Sequence, residues 1–282
     1  MLIGVICGLS LVLSALICAL TGAFVGYTWL WLLPIGFLGG FLVFAVLVFL
    51  FVFLMCKRVR LDVPQEEDSP FYRAMANLCI QAVLQFARIR VHTKGLEKTP
   101  KQGRFLLVCN HLHEADPAIL LHFFRKSQLA FISKQENKDM FLVGKLMHKM
   151  LCQLINREND REALKTILKC IQILKEDKAS VAVFPEGYIR PDRKFHELRP
   201  GVFKIAQKAG VPIVVCTIRD THYVVKNFLR GKPSDVQLHL LEVIPAEDLQ
   251  GKTTVQISEY VHGIMAADLG PAYMPAQPEQ ST

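Results

Sequence analysis

Two short polar stretches hold the residues best suited to chemistry. One is Asn110-His111-Leu112-His113-Glu114-Ala115-Asp116, and the other is Pro185-Glu186-Gly187-Tyr188-Ile189-Arg190. Each directly follows an apolar run with the length of a buried strand: Phe105–Cys109 and Val181–Phe184. In open α/β sheets, sites form in loops beyond the carboxyl ends of strands, so the two stretches can meet at one sheet edge. His111 and Asp116 are five residues apart, on a loop that ends at the helix-start pair Asp116-Pro117. The Asp carboxylate can fold back onto one ring nitrogen of His111 and fix its tautomer. The other nitrogen is then free to take a proton from a hydroxyl. The loop offers no nucleophilic Ser or Thr, and G-x-S-x-G is absent. A base without a protein nucleophile points to direct attack by a substrate hydroxyl or by water. The competing reading of His111 is a buried structural histidine bonded to backbone, and that reading is kept for His113 and the other histidines.

A metal site built from His111, His113 and Asp116 is disfavoured. The H-x-H-x-D-H pattern of metallo-hydrolases would need Asp at 115 and His at 116, where this chain has Ala115 and Asp116. No metal and no resident cofactor is expected.

The elements that must position these residues alternate between helix and strand. Ser69-Pro70 opens a helix over 70–87 with Phe71, Met75, Leu78, Val83 and Phe86 at helical spacing. Strands are predicted at 88–93, 105–109, 129–133, 181–184, 211–218 and 236–244. Helices are predicted at 117–125, 139–150, 160–176, 200–209 and 253–268. The clearest is 160–176, with Leu164, Ile167, Leu168, Ile171 and Leu174 on one face. The class is α/β, with a largely parallel or mixed sheet flanked by helices. The tail from Gly270 to Thr282, opening Gly-Pro-Ala-Tyr-Met-Pro, is expected to be disordered.

Ahead of this domain the composition changes. All 58 charged side chains, 33 basic and 25 acidic, lie in residues 57–282, and 44 of the first 56 residues are apolar. Residues 2–25 and 33–55 are each long enough to cross a bilayer. Between them, Gly26 to Pro34 carries Tyr27, Trp29 and Trp31, which suits a turn at the membrane–water interface. A transmembrane helical hairpin over 1–56 is expected, against one bent span or two shallow, non-spanning helices. A cleaved signal peptide is disfavoured, because there is no basic leading segment and the apolar block is too long. Lys57, Arg58 and Arg60 flank the second span and favour the cytoplasmic side for both hairpin ends and for the domain over 57–269. The eight cysteines show no CxxC pair and no zinc-type spacing, which agrees with free thiols in a reducing compartment. The net charge of +8 belongs to the soluble part. With an anchor present it points to an anionic membrane surface or phosphorylated substrates, and the chain has no recognised nucleic-acid motif.

Taken together, Asn110-His111-x4-Asp116 followed about 70 residues later by Phe184-Pro185-Glu186-Gly187 resembles the PlsC-like 1-acyl-sn-glycerol-3-phosphate (lysophosphatidic acid) acyltransferase family. Ile132-Ser133-Lys134, Leu154-Ile155-Asn156-Arg157 and Gly210-Val211-Pro212-Ile213-Val214 fall where that family has its lysine block, its arginine block and its last conserved block. The likeness covers roughly residues 90–245. It implies a glycerolipid-acyltransferase-like fold and a membrane lipid as acceptor, with acyl-CoA or acyl-carrier protein as co-substrate. It also implies His111 as general base, Asp116 as its orienting partner, Glu186 and Gly187 shaping the acceptor site, and Lys134 and Arg157 holding phosphate. The family usually continues E-G-T-R, whereas here Glu186-Gly187 is followed by Tyr188 and Ile189, with Arg190 one place late. Either Arg190 reaches the phosphate through a bulged loop, or Arg193 or Arg199 replaces it, or the acceptor differs. A different acceptor and a non-catalytic membrane scaffold are the two competing readings.

Overall fold

The computed structural model describes residues 2–156 and 158–275. Two N-terminal helices, α1 (Leu2–Leu20) and α2 (Trp29–Lys57), form an antiparallel pair. Both are long and apolar enough to cross a membrane; at 1.5 Å per residue they extend about 28 and about 43 Å. Their contact is built on small residues. A Cβ on Gly36 would lie 2.6 Å from Ser14 Oγ, and one on Gly40 would lie 3.3 Å from Ser10 Cα. The spacing Ser10-x3-Ser14 against Gly36-x3-Gly40 lets the backbones approach closely, and Ser14 Oγ donates across the seam to Leu33 O at 2.6 Å. The turn lies earlier than expected. Gly22, in the left-handed region at φ 67°, ends α1, and Trp29, Trp31 and Pro34 belong to α2. Pro34 in the second turn of α2 removes only one backbone donor.

The soluble part follows through α3 (Pro70–Phe86), β1 (Ile89–Lys94), β2 (Leu106–Cys109) and α4 (Asp116–Phe123). Next come β3 (Leu129–Lys134), α5 (Val143–Lys149), β4 (Gln153–Ile155), α6 (Asp160–Lys175) and β5 (Ser180–Val183). The chain closes with α7 (Lys204–Ala209), β6 (Ile213–Arg219), α8 (Val224–Leu229), β7 (Ser234–Ile244) and α9 (Thr254–Leu269). The seven strands form one mixed sheet in the order β1-β7-β6-β2-β5-β3-β4, antiparallel only between β6 and β7. The central strands β2 and β5 are buried along their whole length, which explains their unbroken apolar runs. One face of the sheet packs on α6, α7 and α9 through Leu106, Val108, Ile173, Phe203 and Val261. The other packs on α3 and α4 through Leu107, Cys109, Ile119, Leu120 and Leu84.

Three differences from the sequence reading stand out. The helix expected over 139–150 is a 3-10 turn (Gln135–Asp139) followed by α5, because Leu142 adopts φ 59° between them. Strand β4 and helix α8 were not expected. Gly270 is followed not by loose chain but by a 3-10 turn at Pro271–Tyr273, with Tyr273 and Met274 packed on the core. Residues 276–282 of the expected tail lie outside the described residues.

Hairpin and domain meet at α3 and α5. Val52 and Cys56 of α2 pack against Met75, Phe51 stacks edge-on with Phe71, and Tyr72 Oη donates to Met55 O at 3.0 Å. Arg73 ties α3 to the sheet by pairing with buried Asp68 at 2.6 Å and donating to Leu129 O at 3.0 Å. A buried cation is tolerated there because its donors are met by an anion and by carbonyls.

Candidate active site

β2 and β5 are neighbouring parallel strands, with Val108 opposite Val183. The residues after each therefore emerge at the same carboxyl edge, and the two polar stretches meet. Asp116 starts α4 and is fully buried. Its Oδ2 accepts the His111 Nδ1–H at 2.9 Å, the Leu112 N–H at 2.7 Å and the His113 N–H at 2.8 Å. Three donors on one oxygen fix the carboxylate, which then holds the imidazole in the tautomer that leaves Nε2 unprotonated. The ring lies flat on Phe184, with centroids 3.9 Å apart and planes 12° from parallel, and Phe184 stacks in turn on Phe131. His111 is thus held by an anion at one edge and an aromatic face below. Its side chain stays 16% accessible, and no described residue bonds Nε2.

Glu186 is engaged on both carboxyl oxygens by backbone N–H groups of the protein itself. It is 5% exposed, its Oε1 accepts the His111 N–H at 2.8 Å, and its Oε2 accepts the His196 N–H at 3.1 Å. The carboxyl group clamps the backbone of the histidine loop to the loop after β5. Burial raises its pKa to about 7 despite those two N–H donors, and the Asp116 carboxylate pushes the same way. The turn Phe184–Gly187 is closed by Gly187 N–H donating to Phe184 O at 3.0 Å, with Pro185 at its second position. Gly187 sits at φ 92°, and a Cβ there would lie 2.7 Å from Arg199 Nε. Glycine is needed twice over, for the backbone and for the close approach of Arg199.

The expected cations are placed less uniformly. Lys134 ends β3, exposed at the same sheet edge, one strand beyond β5. The Arg190 guanidinium lies 4.7 Å above the Tyr188 ring, with its Nε buried and without a hydrogen-bond partner. Arg157 lies outside the described residues. Arg193, one of the two alternatives to Arg190, donates to Leu112 O and braces the histidine loop from outside. His113 Nδ1 accepts from Ala115 N–H at 3.1 Å, which commits that ring to the loop itself. Among the described residues, no three His, Cys, Asp or Glu side chains converge as metal ligands.

Asn110 is a site residue that sequence reasoning left without a role of its own. Fully buried, it binds both backbone groups of Ile218, through Nδ2 to the carbonyl at 2.9 Å and through Oδ1 to the N–H at 2.8 Å. A buried amide at a strand end, one residue before a candidate base, is the signal that marks it.

The acyltransferase family model matches residues 89–219. A relative from Borreliella burgdorferi, named 1-acyl-sn-glycerol-3-phosphate acyltransferase, is 25% identical over 187 residues, covering 65% of this chain and 74% of the relative. A Mycoplasma pneumoniae protein, named as a probable enzyme of the same kind, is 34% identical over 143 residues, 49% of this chain and 53% of that one. In fold, the chain is similar to PlsC from Thermotoga maritima, with a TM-score of 0.58 at 20% identity over 81% of this chain and 89% of that one.

Proposed function

We propose that this protein, whose residues 89–219 match the acyltransferase family model, moves an acyl group from an acyl thioester to the free hydroxyl of lysophosphatidic acid, giving phosphatidic acid. The observation that carries the reading is the His111–Asp116 pair at 2.9 Å, its Nε2 unengaged at the carboxyl edge of the sheet.

The chemistry runs as one displacement. His111 Nε2 takes the proton from the acceptor hydroxyl as its oxygen attacks the thioester carbonyl. The new C–O bond forms, the C–S bond breaks, and the departing thiolate receives the proton from the imidazolium. Buried Asp116 stabilises that imidazolium while it exists. Lys134, Arg157 and Arg190 supply the positive charge that a phosphate monoester needs; Arg suits two-point capture and Lys a point charge. The names of the relatives support the acceptor, and acyl-CoA or acyl-carrier protein is the donor. Two helices of membrane-crossing length would hold the site where acceptor and acyl tail both reside. Lys57, Arg58 and Arg60 at the end of α2 favour the cytoplasmic face.

The test is an acceptor panel with labelled acyl-CoA and acyl-carrier protein, on membranes holding wild type or His111→Ala. Label should enter phosphatidic acid only with wild type. Preference for another lysophospholipid would replace the acceptor, and transfer by His111→Ala would remove the general base.

A further inference from the structure

The C-terminal turn Pro271–Tyr273 reaches back across the sheet to the loops that surround His111. Tyr273 makes contact at two points. Its carbonyl accepts the Phe195 N–H at 2.7 Å, one residue before His196, whose own N–H is held by Glu186. Its hydroxyl donates to Asp220 Oδ1 at 2.7 Å and accepts the Asp220 N–H at 3.1 Å. Asp220 lies in the left-handed region at φ 65°, a conformation that a non-glycine residue holds only when its surroundings impose it. It follows β6, two residues after Ile218, the partner of Asn110.

We infer that Tyr273 is a positioning residue for the reaction, clasping the loop after β5 and the loop after β6 so that together they hold the His111 loop in register. One path runs Tyr273–Phe195/His196–Glu186–His111, and the other runs Tyr273–Asp220–Ile218–Asn110–His111. Both end on the backbone that carries the base. Burial, with the Asp220 carboxylate adding to it, holds the Tyr273 phenol above its ordinary range, so the hydroxyl remains a donor at working pH. Near the clasp, the His222 ring packs tilted against Tyr223, with centroids 3.9 Å apart and planes at 44°. Burial lowers its pKa first; Asp220 opposes this, while the charges of Arg193 and His113 reach it and lower it further. The turn held by Tyr273 therefore borders the same cluster of side chains as the base.

This inference rests on the general-base reading of His111 and is tested beside it. The full-length protein is assayed in nanodiscs with lysophosphatidic acid and acyl-CoA. Tyr273→Phe removes the hydroxyl alone, and Asp220→Ala removes its acceptor. Each should lower kcat about tenfold with KM changed less than about twofold, and the double variant should be no worse than either single one. Asp220→Asn keeps both an acceptor and the left-handed preference and should restore most of kcat. Met274→Ala deletes core packing next to Tyr273 and should lower Tm without lowering kcat. Wild-type kcat in Tyr273→Phe, additive losses, or a fall in kcat with Met274→Ala that tracks its Tm would overturn the clasp. An active His111→Ala in the same series would instead remove the base, whatever Tyr273 does.

Discussion

Asn110 and Ile218 exchange two hydrogen bonds across the carboxyl ends of β2 and β6, at 2.9 and 2.8 Å, so that a side-chain amide continues the ladder where the β2 backbone turns away. The residue before the base is thereby pinned to the neighbouring strand. Asn110→Ala would leave a buried N–H and a buried C=O without partners. It should cost about 2–4 kcal/mol, taking about 1–3 for each unsatisfied group with some relaxation. Denaturant titration of the purified protein measures this, and kcat should fall with it because the His111 loop loses its anchor. Wild-type stability would mean that water or another group replaces the amide.

Asp116→Asn separates the geometry of the pair from its charge. If the amide oxygen takes the Oδ2 place, it can still accept all three N–H donors, and the loop keeps its shape. The new NH2 then sits where Oδ1 is buried without a partner, and the imidazolium loses its counter-charge. Transfer should slow by about a hundredfold, less than for His111→Ala, within the range of general acid–base effects. Single-turnover rates at saturating acceptor make the comparison. Near-wild-type rates in Asp116→Asn would mean that Asp116 serves mainly to hold the loop in shape.

Glu186 gives the fold a pH dependence of definite sign. Its carboxyl is raised from the usual 4.5 to about 7 by burial. Between those values the folded chain keeps a proton that the unfolded chain has released. The contribution to stability is complete below the unfolded value and fades as pH rises through about 7. Melting temperature should therefore decline from pH 5 to 8 by more in the wild type than in Glu186→Gln, which cannot titrate. Parallel curves would place the proton elsewhere.

Much of the fold was legible because the central strands are buried on both faces. Leu106–Cys109 and Ser180–Val183 read as apolar runs of strand length, and polar loops directly follow. The spacing of His111 and Asp116, with Pro117 marking a helix start, was enough to pair them. What was not legible depends on long-range partners. Strand β4 has three half-buried residues including Gln153, too short and too polar to announce itself, and it forms only by pairing with β3. The part Glu186 plays in clamping the histidine loop was not legible, because nothing local says that two backbone N–H groups, one of them 75 residues away, will meet it. Gly270 to Pro275 has the composition of loose chain, and long-range contacts order it: Tyr273 docks on Asp220 and Phe195, Met274 packs on the core, and Lys194 Nζ donates to Ala272 O. At the membrane end, Trp29, Trp31 and Pro34 suggested a turn, but the helix starts at Trp29.

The hairpin seam can be tested by contrasting two glycines three residues apart. A side chain on Gly36 would run into Ser14, whose Oγ is 2.6 Å from the ideal Cβ and already bonded to Leu33 O, whereas Gly39 has no atom within 4 Å of its ideal Cβ. Gly36→Val should therefore part α1 from α2, and Gly39→Val should not. A cross-link reports the separation directly, because the ideal Cβ of Gly40 lies 3.4 Å from Ser10 Cβ, close to the range of about 3.5–4.5 Å that disulfides span. Ser10→Cys with Gly40→Cys, in a background where Cys7 and Cys18 are replaced by Ala, should oxidise readily in membranes and resist maleimide labelling. Adding Gly36→Val should restore labelling, and adding Gly39→Val should leave it blocked. Activity on lipid acceptor should follow the same order if the hairpin must stay closed to hold the domain on the bilayer. Full cross-linking in the Gly36→Val protein would show that the Ser10–Gly40 contact does not depend on a small residue at position 36.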